Sequence, residues 1–484
     1  MNKYRLRYAP SPTGFLHIGN TRTALMSYMF AKHYNGDFIV RIEDTDMARN
    51  VEGAIESQFD NLNWIGIIPD ESIYNPGNEK YGKYMQSQKF DVYAKYANKL
   101  VNEKKAYKCF CTSEDLEKDY EEQTAKGIVA TKYNGKCSNL SDQEVDQLIS
   151  EGKEFLIRFR VPENESWTIN DIVRGEVVFD AKDLGDFVIL KTNGIATYNF
   201  AVVIDDYDME ITHVVRGEEH ISNTPRQMMI FDALGWEYPI FCHLTLIVDD
   251  TGKKLSKRSG NSLFFIEQYR KQGYLPEAMF NYIALLGWSP KGEKEILSKE
   301  ELIDMFDENR FSKSPSTFDM VKMKWINSQY MKKMSDEDYL VFIKQFIDQT
   351  KYDISNKETN WLNTMLMLFK KEIEFGNQIN DHLDLFFNDI TLTEESQQQL
   401  KELEGHIDLI NIFESKINGL SDWNVDQIKE VIKTSGIEAD VKGKNLFMPI
   451  RIYASKSEHG PSLADVIWLL GKNQVLKNIQ TVKG

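Results

Sequence analysis

Residues 7–20, RYAPSPTGFLHIGN, decide how the rest of the chain is read. They begin as a short apolar strand, break on Pro10, Pro12 and Gly14, and run through His17, Gly19 and Asn20 into TRTALMSYMFAKHYNG. Leu25 and Met29 fall four apart with Tyr28 on the same side, and Asn35-Gly36 supplies a stop, so the pattern predicts a helix from Asn20 to His33. The order strand, tight loop, helix places the loop at a helix N-terminus. Unpaired backbone N–H groups and the helix dipole favour an anion there, and a glycine lets a phosphate approach the backbone. His17 and Asn20 are expected to point at the same place.

Downstream, DFIVRIEDTD alternates at Phe38, Val40 and Ile42 and ends on Glu43, Asp44 and Asp46. In a doubly wound sheet, ligands bind beyond the carboxyl ends of the strands, which places Glu43 where an α-amino group could pair with it. Asp44 and Asp46 are expected to hold the loop. Residues 81–105 read as helical, with Tyr93, Tyr96 and Leu100 on the apolar side. Short alternating strands such as FLIRFRV and GEVVFDA then suggest a β-rich insertion over 91–197. It contains Cys109-x-Cys111 and, further on, Tyr133 and Cys137. Two thiolates flanking one residue and a third beyond could hold a structural zinc, but no histidine lies nearby to complete four ligands. Three free thiols are the other reading.

IATYNFAVVIDDYDM reads as a return to a core strand. ITHVVRGEEHISNTPRQMMIFDALGW reads as strand, loop and helix, the helix announced by Ser222, Asn223, Thr224 and Pro225 and closed by Gly235. This repeats the geometry of the first motif. Tyr198 and Arg216 are placed at strand ends, with Glu219 and His220 just beyond. Past Arg258, the periodicity is helical through SLFFIEQYRKQGYLPEAMFNYIALLGW, SKEELIDMF and FDMVKMKWINSQYM. From Met334 to Gln474 it is helical almost throughout, with HGPSLADVIWLLG as a last short helix, so an all-helical C-terminal region is expected.

A chain of 484 residues is too long for one core, and about three domains is the natural expectation. The 42% hydrophobic and 27% charged content is that of an ordinary soluble protein. No apolar run is long enough to span a bilayer and MNKYRLRYAP lacks the apolar middle of a secretory signal, so a cytoplasmic protein with no membrane partner is expected. Cys109, Cys111, Cys137 and Cys242 fit a reducing compartment. The net charge of −16 opposes long-range attraction to a polyanion, so any nucleic-acid contact must come from local basic clusters. Lys253, Lys254, Lys257 and Arg258 form one; Lys442, Lys444, Arg451 and Lys456 are spread over another.

PSPTGFLHIGN resembles the HIGH signature of class I aminoacyl-tRNA synthetases, with the PSPTG lead-in of the glutamyl and glutaminyl branch. KKLSKR, residues 253–258, resembles the family's KMSKS loop with Leu255 in place of methionine. TYNFA and VVRGEEH resemble the amino-acid and ATP contacts of glutamyl-tRNA synthetases. FDMVKMKWINSQYM and GKNLFMPIR resemble the family's link to its anticodon-binding part and a stretch near its C-terminal end. The resemblance runs from Leu6 to Gly471. It implies a Rossmann-like doubly wound α/β catalytic domain over 1–90 and 198–250, interrupted by the insertion at 91–197, which would bind the tRNA acceptor end. A KLSKR-loop and stem-contact helical domain follows over 251–333, and a helical anticodon-binding region over 334–484.

The implied reaction joins ATP and L-glutamate to glutamyl-adenylate and pyrophosphate, then passes the glutamyl group to the 3′ end of tRNA(Glu). The resemblance implies ATP contacts at Ser11, Thr13, His17, Gly19, Asn20, Glu219, Lys254, Ser256 and Lys257, with His17, Lys254 and Lys257 the catalytic set. It implies glutamate contacts at Arg7, Ser11, Glu43, Tyr198 and Arg216. A carboxylate is already the nucleophile, so no nucleophilic side chain is needed. The task is positioning and electrostatics, with Mg2+ held mostly by phosphates and water. Asn139 stands where some bacterial relatives carry a zinc-binding histidine. Relatives in which a tyrosine four before the cysteine binds point to Cys109, Cys111, Tyr133 and Cys137 for Zn2+.

Glutamate differs from glutamine by one charge, which calls for a forked arginine on the side-chain carboxylate; Arg7 and Arg216 are the two at hand, and Arg216 is expected to be the selective one. A monomer is expected. A non-discriminating enzyme that also charges tRNA(Gln) and a non-catalytic tRNA-binding paralogue are the alternatives. A short relative that glutamylates a modified base would lack the helical C-terminal region, and a glutaminyl enzyme would carry a β-rich one.

Overall fold

β1 (Arg5–Tyr8), α1 (Ile18–His33) and β2 (Asp37–Val40) build the first crossover, with β1 and β2 parallel and Leu6 opposite Phe38. The structure is a computed structural model that describes residues 3–77, 79–129, 131–255, 263–403 and 405–483. The helix starts at Ile18, before the expected Asn20, because the His17 side chain caps it by accepting from the Asn20 N–H. It stops where Asn35 adopts a positive φ of 52° and Gly36 follows. Leu25, Met29 and Tyr28 are all buried, as the spacing requires.

α2 (Ala54–Ile65) and α3 (Phe90–Asn102) follow, then the insertion. It holds β3 (Ala106–Cys109), α4 (Ser113–Ala125), α5 (Asp142–Ser150), β4 (Leu156–Phe159), β5 (Ser166–Asp171), β6 (Gly175–Asp180) and β7 (Phe187–Leu190). Strands β3, β4 and β7 form an antiparallel sheet, and β5 and β6 a separate hairpin. The strands expected at FLIRFRV and GEVVFDA are present. The helices α4 and α5 are an addition to the expected β-rich insertion, each opened by a capping box, Thr112 with Asp115 and Ser141 with Glu144.

One expected strand is a helix. IATYNFAVVIDDYDM forms α6 (Tyr198–Asp208), in which Phe200 through Asp206 are all buried. With no polar face, the run lacks the 3.6-residue period that announces a surface helix, and its β-branched residues read as a strand. β8 (His213–Gly217), α7 (Thr224–Leu234) and β9 (Ile240–Leu244) complete the parallel sheet in the order β2-β1-β8-β9. α7 has Pro225 in its first turn and a left-handed Gly235 cap, as expected. The chain leaves β1 toward β2 on one side and returns in β8 on the other, so the switch point for ligand binding lies beyond Tyr8 and Gly217.

β10 (Ile247–Val248), α8 (Ile266–Gln272), α9 (Pro276–Ala284), α10 (Lys299–Asp304), β11 (Ser316–Thr317) and α11 (Met320–Lys333) come next. The chain forms two compact units: Met1–Arg270 with Pro276–Met323, and Lys271–Leu275 with Lys324–Gly484. The second contains α12 (Asp336–Lys344), α13 (Thr359–Leu368), α14 (Asn380–Phe387), α15 (Glu394–Glu402), α16 (His406–Asn418), α17 (Val425–Glu438), α18 (Lys444–Ser455), α19 (Leu463–Leu470) and α20 (Lys472–Lys483). Among the described residues it has no strand. HGPSLADVIWLLG is not the last helix, since Gly471 breaks the chain and α20 follows, burying Val475 and Ile479. Leu409, Ile410, Phe413, Ile450 and Ile467 form its core. The expected basic cluster there is dispersed. Lys456 pairs with Asp389 at 3.0 Å and Arg451 donates to the Pro461 carbonyl, while Lys442 and Lys444 stay exposed.

The tightest joint of the first crossover is Gly36, whose N–H donates to the Ala31 carbonyl at 2.7 Å. A Cβ there would lie 2.3 Å from the Tyr4 carbonyl oxygen, a backbone atom that cannot swing aside. Overpacking of this kind typically costs ~1–3 kcal/mol. Gly36→Ala is expected to lose at least ~2 kcal/mol in urea unfolding followed by far-UV circular dichroism. A midpoint equal to that of the parent would show that the start of β1 can move.

Candidate active site

The loop before α1 is anchored through its carbonyls. Pro10 accepts from the Glu43 N–H at 2.9 Å, Pro12 from the Val51 N–H at 2.8 Å and Gly14 from the Gln58 amide at 2.9 Å. Tied down on that side, the loop leaves the side chains of Ser11 and Thr13 exposed. The His17 ring caps α1 through Nδ1, 3.3 Å from the Asn20 nitrogen, and stacks on Phe264. The Ile18 N–H donates to the Phe264 carbonyl and the Ile266 N–H to the Leu16 carbonyl, so a second segment fixes the loop's height. A Cβ on Gly19 would lie 3.2 Å from the imidazole, a tight contact. The first turn of α1 carries no acidic residue, so the positive end of the helix is left uncompensated and suits an anion.

Arg7 near the end of β1, Glu43 past β2, Arg216 near the end of β8 and Tyr198 come close together, and Tyr198 opens α6 rather than ending a strand. Burial dominates the titration of Glu43, Tyr198 and Arg216, and the groups are also close enough to act on one another. Arg7 draws Glu43 and Tyr198 down, and Tyr198 draws Arg216 up. Arg7 donates through Nε to Asp206 at 3.1 Å, and Arg41 donates to the same carboxylate at 2.8 Å and to Glu43 at 3.2 Å. Burial pushes the Glu43 carboxyl up, and Arg41 and Arg7 only partly oppose it, so it stays above the ordinary glutamate range. Burial would also raise Asp206, but Arg7 and Arg41 outweigh it and hold that group below its ordinary value. Asp44 does hold the loop, accepting from the Ser87 N–H at 2.8 Å, and Asp46 precedes a short 3-10 turn.

Arg216, next to last in β8, is buried. Its Nε donates to His243 Nε2 at 3.0 Å and one Nη to Thr224 Oγ1 at 2.8 Å, while Nη1 is buried without a hydrogen-bond partner. The Tyr198 hydroxyl lies 3.2 Å from His220 Nδ1, and burial, then Arg216, lower the His220 imidazole to about 4. His220 is therefore neutral near pH 7.

Lys254 reaches the Glu219 carboxylate at 3.4 Å. It sits on a hairpin in which the Leu255 N–H donates to Ile247 and the Asp249 side chain gathers the N–H groups of Thr251 and Lys253. Ser256 and Lys257 lie outside the described residues.

Cys109, Cys111 and Cys137 converge in the insertion, their sulfurs within 4.8 Å of one another. Cys111 and Cys137 are 3.6 Å apart, and the Tyr133 hydroxyl lies 3.5 Å from both Cys109 and Cys111. A tetrahedron around a zinc-sized cation has S···S edges of about 3.8 Å and S···O edges of about 3.5 Å, so the donor set fits. Arg158 donates to the Cys109 sulfur at 3.3 Å and the Cys137 N–H to the Tyr133 oxygen at 2.9 Å, contacts that favour anionic ligands.

Arg41, Asp206, Asp171 and His243 belong to the site although no motif singles them out. The signal that exists is composition against context: an arginine inside FIVRIED, paired aspartates after VVI, and a lone histidine inside IFCHLTL. Each is a polar group in an apolar run, which must find a partner when buried.

With this geometry in place, comparison with known proteins is direct. Residues 3–325 match the family described as tRNA synthetases class I (E and Q), catalytic domain, and residues 337–483 the one described as anticodon binding domain. The chain is 69% identical over 480 residues to the glutamate–tRNA ligase of Mycoplasma capricolum, covering 99% of each. It is 49% identical over 480 residues to that of Geobacillus thermodenitrificans, covering 98% of each. A crystal structure of a glutamate tRNA ligase from Elizabethkingia meningosepticum in complex with its amino acid superposes with a TM-score of 0.90 at 35% identity, covering 99% of both chains. The match over residues 3–325 and the full-length identity to glutamate–tRNA ligases, with which the parallel sheet and the helical second unit agree, place this chain in the glutamate–tRNA ligase family of class I tRNA synthetases.

Proposed function

We propose that the protein is a glutamate–tRNA ligase that activates L-glutamate with ATP and transfers it to the 3′ end of tRNA(Glu). The observation that carries the reading at the site is the arrangement around Arg216. Arg7 lies close enough to act on both Glu43 and Arg216, Tyr198 is near all three, and Arg216 keeps a buried Nη1 without a partner. Glutamate offers two carboxylates and one ammonium, the complementary set. The two arginines grip the carboxylates, Glu43 pairs with the ammonium, and Tyr198 and Ser11 frame the substrate.

ATP lies against the loop and the N-terminus of α1, at Thr13, His17, Gly19 and Asn20, with Glu219, Lys254, Ser256 and Lys257 completing its contacts. An oxygen of the α-carboxylate attacks the α-phosphorus and pyrophosphate leaves. A hydroxyl of the terminal ribose of tRNA then attacks the activated carbonyl, and AMP leaves. In both steps the protein's contribution is to hold anions together and stabilise charge that grows on the phosphate, which helix N–H groups, His17 and the lysines supply. Magnesium accompanies ATP and supplies further charge neutralisation.

The second unit suits a nucleic acid locally although the chain carries −16 overall. Lys429, Lys433, Ile437, Lys442 and Phe447 line one groove, with Ile437 and Phe447 exposed. Cations beside an exposed ring accept phosphates and stacked bases together. In the insertion, Cys109, Cys111, Cys137 and Tyr133 hold a structural zinc.

Three outcomes test these assignments. In tRNA-supported ATP–pyrophosphate exchange, Arg216→Gln is expected to lose at least about 30-fold in kcat/KM for glutamate, since removing one partner of a buried charge pair costs about 2–5 kcal/mol. A rise in the ratio of glutamine to glutamate use would mark Arg216 as the reader of the side chain, an equal loss as the reader of the α-carboxylate. A loss under about threefold would remove it from the pocket.

Glu43 must be ionised to pair with the ammonium, and its carboxyl is raised by burial. The KM for glutamate should therefore climb as pH falls while still above 4.5, with the KM for ATP unmoved. A glutamate KM flat down to that pH would reassign Glu43. Finally, protein purified without chelators should contain about one zinc per chain with three sulfur ligands by X-ray absorption. Protein purified that way with no zinc would leave the insertion standing without its metal.

A further inference from the structure

Asp171 and His243 stand between the insertion and the amino-acid pocket. Asp171 ends β5, and the next residue, Ile172, donates its N–H to the Phe241 carbonyl of β9 at 3.0 Å, so the hairpin is bonded to the catalytic sheet. The Asp171 carboxylate accepts from the N–H groups of Val173 and Arg174 at 2.9 and 2.8 Å, from the His243 N–H at 3.0 Å and from His243 Nδ1 at 2.7 Å. His243 has no exposed surface and Asp171 almost none.

These contacts decide the state of the imidazole. A carboxylate with four donors can only accept, so the proton sits on Nδ1. Nε2 is then a lone pair, and it faces the Nε–H of Arg216 at 3.0 Å. A doubly protonated ring would set an N–H against that donor. Burial, which lowers the His243 pKa, favours the neutral ring too. Thr224 Oγ1 takes one Nη of the same guanidinium, so two of its three nitrogens are fixed by neutral groups and the third, Nη1, is buried without a partner.

We propose that Asp171 and His243 are positioning residues that brace Arg216 in the orientation that grips a carboxylate of the amino-acid substrate, and that the β5–β6 hairpin of the insertion thereby helps to build the glutamate pocket. This rests on the reading of Arg216 given above. Neither residue touches substrate. Their effect falls on glutamate binding and spares ATP, whose proposed contacts are not among the hydrogen-bond partners of Asp171, His243 or Arg216.

The test compares KM values for glutamate and ATP in tRNA-supported pyrophosphate exchange for full-length Arg216→Gln, His243→Leu, His243→Gln and Asp171→Asn. Leaving the Arg216 Nε–H buried without an acceptor should raise the glutamate KM of His243→Leu by about tenfold or more, with the ATP KM within about twofold. His243→Gln keeps an acceptor near the place of Nε2 and should return the glutamate KM to within about threefold of the parent; Asp171→Asn, which frees the ring, should raise it about threefold or more. If Arg216→Gln raises the glutamate KM and His243→Leu and Asp171→Asn do not, the brace is overturned while the Arg216 reading survives. If Arg216→Gln has no effect, the Arg216 reading falls first. Parallel rises in both KM values, or no rescue by His243→Gln, would reduce His243 to a packing role. Should His243→Leu fail to fold, Asp171→Asn and His243→Gln decide alone: an unchanged glutamate KM in Asp171→Asn overturns the proposal.

Discussion

The interaction on which the first unit depends is the buried ion network centred on Arg41. Its guanidinium has almost no exposed surface and meets Asp206 at 2.8 Å, Glu43 at 3.2 Å and Asp205 at 3.6 Å. Asp206 also holds Arg7 of β1, and Asp205 holds Lys89 at 2.7 Å and the Tyr93 hydroxyl at 3.0 Å. Three cations face three carboxylates away from solvent, a set that tolerates burial only when every member is matched. The network also solves a topological problem. The insertion separates β2 from β8 by more residues than the sheet itself contains. Lys89 and Tyr93 stand at the start of α3, ahead of β3, and Asp205 and Asp206 in α6, after β7, so these pairs close the excursion and set α6 against the ends of β1 and β2.

That requirement explains what was and was not legible from sequence. The loop, α1, the end of β2 and the α7 start were readable because each rests on local chemistry: a proline, a cap, a glycine, an alternation. α6 was not. Phe200 through Asp206 are buried on every side, so no period distinguishes the run from a strand, and its last turn carries Asp205, Asp206 and Asp208, the wrong sign for a helix C-terminus. The helix accepts that local conflict because Arg7, Arg41 and Lys89 need the carboxylates there. Conflicts of this kind concentrate at functional sites. α4 and α5, by contrast, were announced by capping boxes in TSED and SDQE, and the alternation of their neighbours masked them. His243 stayed unassigned because a lone polar residue in an apolar run states only that it has a partner, not which, and Asp171 follows Asn170 in a mixed stretch, WTINDIVR, that marks neither.

The same chemistry accounts for how an acidic chain handles polyanions. Buried cations outnumber buried carboxylates among the described residues, so the net −16 resides on the surface. At the proposed ligand sites the favourable field would come from short-range donors: the uncompensated start of α1, Lys254 with its hairpin, and the lysines around Phe447. Such sources act over a few ångströms and are little affected by the distant surface charge once ions screen it.

Arginine partners separate scaffold from site. Arg5 is held by both oxygens of Glu71, at 2.9 and 3.0 Å, and by Asp37 at 2.9 Å. Its charge is cancelled within the fold, and its role is to tie the edge of the sheet together. Arg7 shares Asp206 with Arg41, so its charge is only partly cancelled. Arg216 is bonded to an imidazole and a hydroxyl, groups that fix a guanidinium in space and leave its charge intact. A carboxylate in either place would hold the side chain as firmly but would repel the substrate carboxylate that the pocket must attract. Neutral partners give orientation without neutralisation, and the anionic end of the brace, Asp171, is set one imidazole further back, where it fixes the tautomer and its field at the pocket is weaker with distance.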